Sequence, residues 1–169
     1  MKHMKKLISF GILMLAFTAA TFAQVSATAT ASATIVGPIG ITNTANMDFG
    51  NVAVSAALGT VVLTPAGTRS VTGGCTLPAI TGTVTAAAFN VTGAVNYTYS
   101  ITLPASATIT DGTNNMTVDT FTSTPTPTGT IGAGGTQALT VGATLHVAGS
   151  QVAGTYTTAA PFTVTVNYN

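Results

Sequence analysis

Apolar and polar residues alternate with a period of two over most of the chain. The pattern is plainest at the end, where Phe162, Val164, Val166 and Tyr168 interleave with Thr163, Thr165 and Asn167. Period two is the signature of a half-buried strand, and beyond residue 23 no stretch repeats apolar residues at i, i+3 and i+4 for two turns. The alternation predicts strands at 25–36, 52–54, 60–64, 70–72, 80–91, 95–103, 107–110, 116–121, 137–147 and 161–168. Turn chemistry separates them, at Gly37-Pro38, Pro65-Ala66-Gly67, Gly73-Gly74, Thr92-Gly93, Asp111-Gly112, the Gly132 to Gly135 run, Gly149 and Gly154. Short strands at this spacing, each with one polar and one apolar face, predict an all-β fold, an antiparallel immunoglobulin-like β-sandwich. The Cys, Trp, Cys signature of true immunoglobulin domains is missing, so the likeness is one of architecture. Residues 122–130, TSTPTPTGT, read as an exposed loop whose prolines keep it off a sheet edge. Free chain ends fray, so a strand that runs to the last residue is expected to be structurally required.

Residues 25–36, VSATATASATIV, carry two readings. One is an ordinary first strand whose alanines sit where two sheets approach closely. The other is a detachable strand that adds to the edge of a neighbouring molecule, supplying main-chain hydrogen bonds while its alternate side chains fill pockets. Gly37 and Pro38 would be the hinge.

The start of the chain changes how charge is counted. Lys2, Lys5 and Lys6 precede a short apolar run from Leu7 to Phe17, and Thr21-Phe22-Ala23 offers small residues where a signal peptidase reads. The expected cleavage follows Ala23 and exposes Gln24, giving a signal peptide at 1–23 and a single sandwich domain at 24–169. At roughly a dozen residues the apolar run is short of the ~20 a membrane span needs. No cysteine follows the cleavage point for lipid attachment. The expectation is a soluble exported chain, located in the periplasm, at the cell surface or outside the cell, with no membrane insertion of its mature part. Three of the four basic residues fall in the segment removed, leaving Arg69 against Asp48, Asp111 and Asp119. A mature chain with formal charge near −2 has no field to hold nucleic acid or an anionic surface. Low charge does not mean disorder here, because 46% of residues are apolar. Threonine, roughly a quarter of the mature residues, takes the place of charge on the polar faces, where a β-branched hydroxyl suits a solvated pleat. A lone cysteine, Cys75, forms no intrachain disulfide, so the core must supply the stability.

Few residues remain for chemistry. Hydrolysis calls for paired carboxylates or a nucleophile beside a base. His146, between Leu145 and Val147 in a predicted strand, has no second mature histidine with which to share a metal and reads as structural. Cys75 reads as a small buried apolar residue. Asp48-Phe49-Gly50 matches the kinase tripeptide without its accompanying loops, and is expected to be a strand end with Phe49 buried and a bend at Gly50. Asp111-Gly112-Thr113-Asn114-Asn115 followed by Asp119 faintly resembles a calcium loop, lacks the closing Glu, and reads as a hairpin turn. The glycines at 132–135 precede no Lys-Ser or Lys-Thr and form no phosphate loop. The expectation is no catalytic residue, no metal and no cofactor.

The order of the blocks is itself informative. Met47-Asp48-Phe49-Gly50, Gly59-Thr60-Val61, Pro65-Ala66-Gly67-Thr68-Arg69-Ser70, Gly73-Gly74, Ala88-Phe89-Asn90-Val91-Thr92-Gly93, Tyr99-Ser100-Ile101-Thr102-Leu103-Pro104, Val141-Gly142-Ala143-Thr144-Leu145, Gly154-Thr155-Tyr156 and the closing strand resemble the bacterial domain-of-unknown-function family 4402. The resemblance covers nearly all of the mature chain and implies a small exported β-sandwich protein with no assigned catalytic residues. More distantly, the Phe-Gly near the first strands and the aromatic near the end are similar to pilin-like subunits of the chaperone–usher and spore-coat-protein-U type. Such subunits usually carry a disulfide, which Cys75 alone cannot form within the chain. Together these features point to a non-catalytic exported structural or adhesive subunit of the cell surface, pilin-like and self-associating, or associating with other surface subunits, through strand addition. The alternative is a small-ligand or glycan-binding sandwich. Sugar-binding sandwiches generally offer aromatic platforms, whereas this chain has no Trp, and its tyrosines at 97, 99, 156 and 168 fall mostly in strand-like segments.

Overall fold

A computed structural model describes residues 24–169. The expected signal peptide at 1–23 lies outside the described residues. Eleven strands follow one another: β1 (Gly40–Ala45), β2 (Ala53–Leu63), β3 (Arg69–Thr76), β4 (Ala87–Thr92), β5 (Thr98–Thr102), β6 (Ser106–Thr110), β7 (Asn115–Thr124), β8 (Thr128–Thr130), β9 (Thr136–Val147), β10 (Thr157–Thr158) and β11 (Thr165–Tyr168). No helix occurs among the described residues, and every strand pairing is antiparallel. The fold is all-β, as the alternation predicts.

An eight-stranded sheet runs β1-β4-β9-β7-β6-β10, with β2 joining β9 and carrying β3; a three-stranded sheet runs β11-β5-β8. Strand β9 is the spine. Its inward residues Leu139, Val141, Ala143, Leu145 and Val147 are all buried, at every second position. Leu139 and Val141 pack with Tyr99, Ile131, Val164 and Val166 to fill the space between the two sheets. Ala143, Leu145 and Val147 belong to a second cluster with Phe49, Val61, Leu63, Cys75 and Val118.

Gly142 marks where β9 changes partner. Val141 pairs with Ala87 of β4, whereas Ala143 pairs with Leu63 of β2. A Cβ on Gly142 would sit 2.2 Å from the Leu63 carbonyl oxygen, closer than any side chain tolerates, so the switch requires glycine here. On the other side of β9 the register of β7 shifts between Asp119 and Thr122. Thr120 sits inside that bulge with φ +49°, a device that bends a strand and increases its twist.

Several expected boundaries move. Residues 25–36 form no strand, and every described residue from Gln24 to Thr34 is exposed. The compact unit that begins at Ile35 opens instead with β1, a segment that none of the expected strands covers. The expected strands 52–54 and 60–64 are one strand, β2, bulged against β3 between Val54 and Gly59. Residues 80–86 are not strand beyond an isolated Asp48–Thr85 bridge. Their backbone is spent elsewhere: the Thr81 carbonyl accepts the Asn51 amide at 2.7 Å, and the Ile80 carbonyl accepts Asn51 Nδ2 at 3.1 Å. The supposed loop 122–130 is largely strand. β7 continues through Thr124, Ser123 is buried with its Oγ donating to the Pro125 carbonyl, and β8 forms a sheet edge despite the prolines before it. Pro lacks an N–H only at its own position, so a three-residue edge strand just after Pro127 loses no ladder bond.

The closing strand follows its alternation. Val164 and Val166 are buried while Thr163, Thr165 and Asn167 are exposed. Tyr168 explains why order persists to the end: its hydroxyl accepts the Ala94 amide at 2.7 Å and donates to the Gly37 carbonyl at 3.2 Å. Its ring meets Tyr97 edge to face at 5.7 Å. The chain end thus clamps the β4–β5 turn and residue 37 together. Tyr99, by contrast, is fully buried beneath Gly129 with no hydrogen-bond partner for its hydroxyl. Losing one member of a buried bond costs about 1–3 kcal/mol, whereas removing an unpaired polar group is neutral or favourable. Chemical denaturation is therefore expected to place Tyr168→Phe about 1–2 kcal/mol below the parent and Tyr99→Phe at or above it. The opposite order would mean the Tyr168 bonds do not hold the end.

Candidate functional site

A groove of about 1150 Å³ lies over the inner face of the large sheet. Its floor comes from four strands: Phe89 of β4, Ile109 of β6, Met116 and Val118 of β7, and Leu145 and Val147 of β9. These face one way because each strand supplies alternate residues to one side. Two segments, irregular apart from the start of β2 and the two residues of β10 and not strands of the three-stranded sheet, make the walls.

The first wall is residues 46–54. Asp48 bridges to Thr85, and its Oδ1 accepts the Gly50 amide at 2.7 Å. Gly50 turns the chain at φ +64°, where an added Cβ would meet the Thr81 and Thr83 carbonyl oxygens at 2.4 and 2.8 Å. Phe49 is buried, as expected of a strand-end bend. Arg69, the only basic residue besides His146 after residue 23, donates Nη1 to the Phe49 carbonyl and, at 3.0 Å, to the Asn51 carbonyl. The cation is committed to holding this wall. The second wall is residues 151–162, tied within itself by Tyr156, whose hydroxyl donates to the Val152 carbonyl at 2.8 Å and accepts Gln151 Nε2 at 2.9 Å. At one end the walls meet, where the Ser150 amide donates to the Ser55 carbonyl at 2.8 Å. Phe162, its ring tilted against that of Phe121 at 5.1 Å, closes the second wall just before β11.

The residues singled out from sequence do not converge on this groove. Cys75 is buried in the core, and burial pushes its thiol up. His146 stands on the opposite, outward side of β9, its Nε2 2.9 Å from Asp119 Oδ1 in an exposed pair across β9 and β7. Hydrogen bonds to His146 and Thr120 hold the Asp119 carboxyl below its usual range. Sequence reading missed this pair because its members are 27 residues apart; only the register joins them. Asp111 tops the β6–β7 hairpin, its Oδ1 accepting the Thr113 and Asn114 amides at 2.8 and 2.6 Å and its Oδ2 accepting Asn114 Nδ2 at 3.0 Å. Gly132 and Gly135 close the turn between β8 and β9. Among the described residues no three of His, Cys, Asp and Glu gather to hold a metal.

The Asp111 turn has a readable acid signature. Bonds from the Asn114 side chain, then from the Asn114 and Thr113 amides, lower its carboxyl to about 2. A depressed folded value means the turn's contribution to stability is complete above the unfolded carboxylate range near ~4 and is lost as pH falls toward 2. A carbon-detected NMR titration is expected to find the Asp111 midpoint at about 2. An ordinary midpoint near ~4 would mean the turn does not capture the ionised form.

Residues 39–168 match a protein family described as Domain of unknown function (DUF4402). No curated protein and no solved structure matches the chain.

Proposed function

The chain belongs to the DUF4402 family, and from that premise we propose that it is a non-catalytic, exported structural subunit of the cell surface that assembles by strand addition. The observation that carries this reading is residues 25–36. They alternate from Val25 to Ile35, with Val25, Ala27, Ala29, Ala31, Ala33 and Ile35 on one side and Ser26, Thr28, Thr30, Ser32 and Thr34 on the other before Val36 ends the pattern, yet they form no strand and are exposed. An unpaired amphipathic strand is a template for pairing with another chain. Its largest inward-alternating members, Val25 and Ile35, are 93% and 91% exposed and so unburied by the domain itself. Export is supported by the Lys-rich start and the Thr21-Phe22-Ala23 junction.

The small-ligand alternative draws support from the groove, whose apolar floor would suit a non-polar molecule. Its size argues against that use, since ligand pockets run to about 300–1,000 Å³ and this one is larger. Electron microscopy of material sheared from the native cells, with N-terminal sequencing of what it contains, tests the proposal. Filaments whose subunit begins at Gln24 are expected. A chain retained inside the cell with its Lys2 to Lys6 segment intact would refute it.

A further inference from the structure

We infer that the groove between residues 46–54 and 151–162 is the acceptor site for residues 25–36 of a second copy of this chain. The inference rests on the strand-addition reading and adds to it the place where the strand goes.

Main-chain hydrogen bonding makes the first argument. Strand addition needs an acceptor whose own backbone groups are unpaired, and the second wall has them. Between β10 and β11 its segment 159–164 enters no strand pairing and makes none of the turn and loop backbone hydrogen bonds, so its carbonyls and the amides other than at Pro161, which has none, would meet an added strand. Strand β11 pairs on one side with β5 and is the edge of its sheet. An extended peptide lying along residues 159–164 would continue that sheet past its present edge and complete the layer over the groove floor.

Side-chain chemistry makes the second. The donor face is Val25, four alanines and Ile35, small in the middle and larger at both ends. Alanines let a strand's backbone lie close to a floor whose bulk is supplied by Phe89, Ile109 and Met116. Neither surface brings a charge that needs a partner. Residues 25–36 have none, and the rim carboxylate of Asp48 already accepts the Gly50 amide. An apolar groove with one capped carboxylate fits an uncharged extended peptide.

The base of the donor strand is also fixed. The Gly37 carbonyl is held by the Tyr168 hydroxyl at 3.2 Å, so residues 25–36 begin from a defined point on the domain. An anchored donor loses less freedom on binding than a free peptide would.

Cysteine cross-linking between copies tests this. One preparation of the exported protein carries Ala31→Cys in the middle of the donor strand. A second carries Ala53→Cys on the first wall, a third Thr155→Cys on the second, and a fourth Thr128→Cys on the distant edge strand β8. All four positions are exposed, so folding is not at stake, and native Cys75 is buried. After mixing the first with each of the others under mild oxidation, disulfides from residue 31 to residues 53 and 155 are expected, and none to residue 128. Cross-linking to residue 128 in place of the walls would overturn the groove as acceptor while leaving strand addition intact. Monomers at every concentration, with no cross-link to any site, would overturn both. A monomer whose groove carries a copurified apolar small molecule would overturn the inference in favour of a ligand site.

Discussion

A chain carrying Val164→Asp is expected not to fold, while Thr165→Asp, one residue away, stays within about 1 kcal/mol of the parent. Val164 is 7% exposed and packs with Val91, Tyr99, Leu139 and Val141 between the two sheets. A carboxylate there would lose its hydration with no cation in reach, since Arg69 belongs to the other cluster's wall and donates to the Phe49 and Asn51 carbonyls. The effective penalty for a buried unpaired ion is several kcal/mol. A domain of this size has only about 5–15 kcal/mol in total, and removing the valine also forfeits its packing. Thr165 points the other way and is exposed, so Asp there loses only strand propensity and solvated packing. Soluble yield and urea unfolding followed by circular dichroism read both variants. Equal tolerance would mean that Val164 and the strand it leads into do not close the core.

Deleting residues 25–36 is expected to do the reverse, abolishing assembly and sparing the fold. Every buried side chain of the described chain lies between Phe49 and Val166, and none belongs to the deleted segment. The family match likewise begins at residue 39. The melting temperature should therefore move by less than about 4 °C, the shift that ~1 kcal/mol produces in a domain of this size. Sedimentation velocity should find monomer at concentrations where the parent forms chains. A truncated protein that still forms chains would place the contact elsewhere. One that fails to fold would mean the segment belongs to its own domain's core.

What could be read from the sequence was the inward face of each strand; what could not was which strand lies beside which. The alternation at 137–147 and 161–168 identified the buried residues of β9 and β11, and Asp-Gly at 111–112 located a hairpin, because burial and turn geometry leave local marks. β1 left little mark, since Gly40, Asn43 and Asn46 look like turn residues and only pairing with Phe89 to Thr92 makes 40–45 a strand. At 80–86 the error ran the other way: the alternation is there, but Asn51 takes the Ile80 and Thr81 carbonyls. The partner switch at Gly142 and the His146–Asp119 pair depend on register between distant segments, which period two cannot convey. The groove is of the same kind, a place where the second layer stops short. Its would-be occupant was legible as a strand while its lack of a partner was not.

Hydrogen exchange along residues 25–36, measured by mass spectrometry on the exported protein both dilute and concentrated, tests strand addition most directly. Backbone amides that enter a sheet exchange slowly, and those of an exposed segment exchange at once. The account predicts fast exchange across 25–36 in dilute monomer and strong protection in the concentrated, assembled protein, accompanied by protection of 159–164. Chains in which residues 25–36 exchange as fast as in the monomer would contradict it.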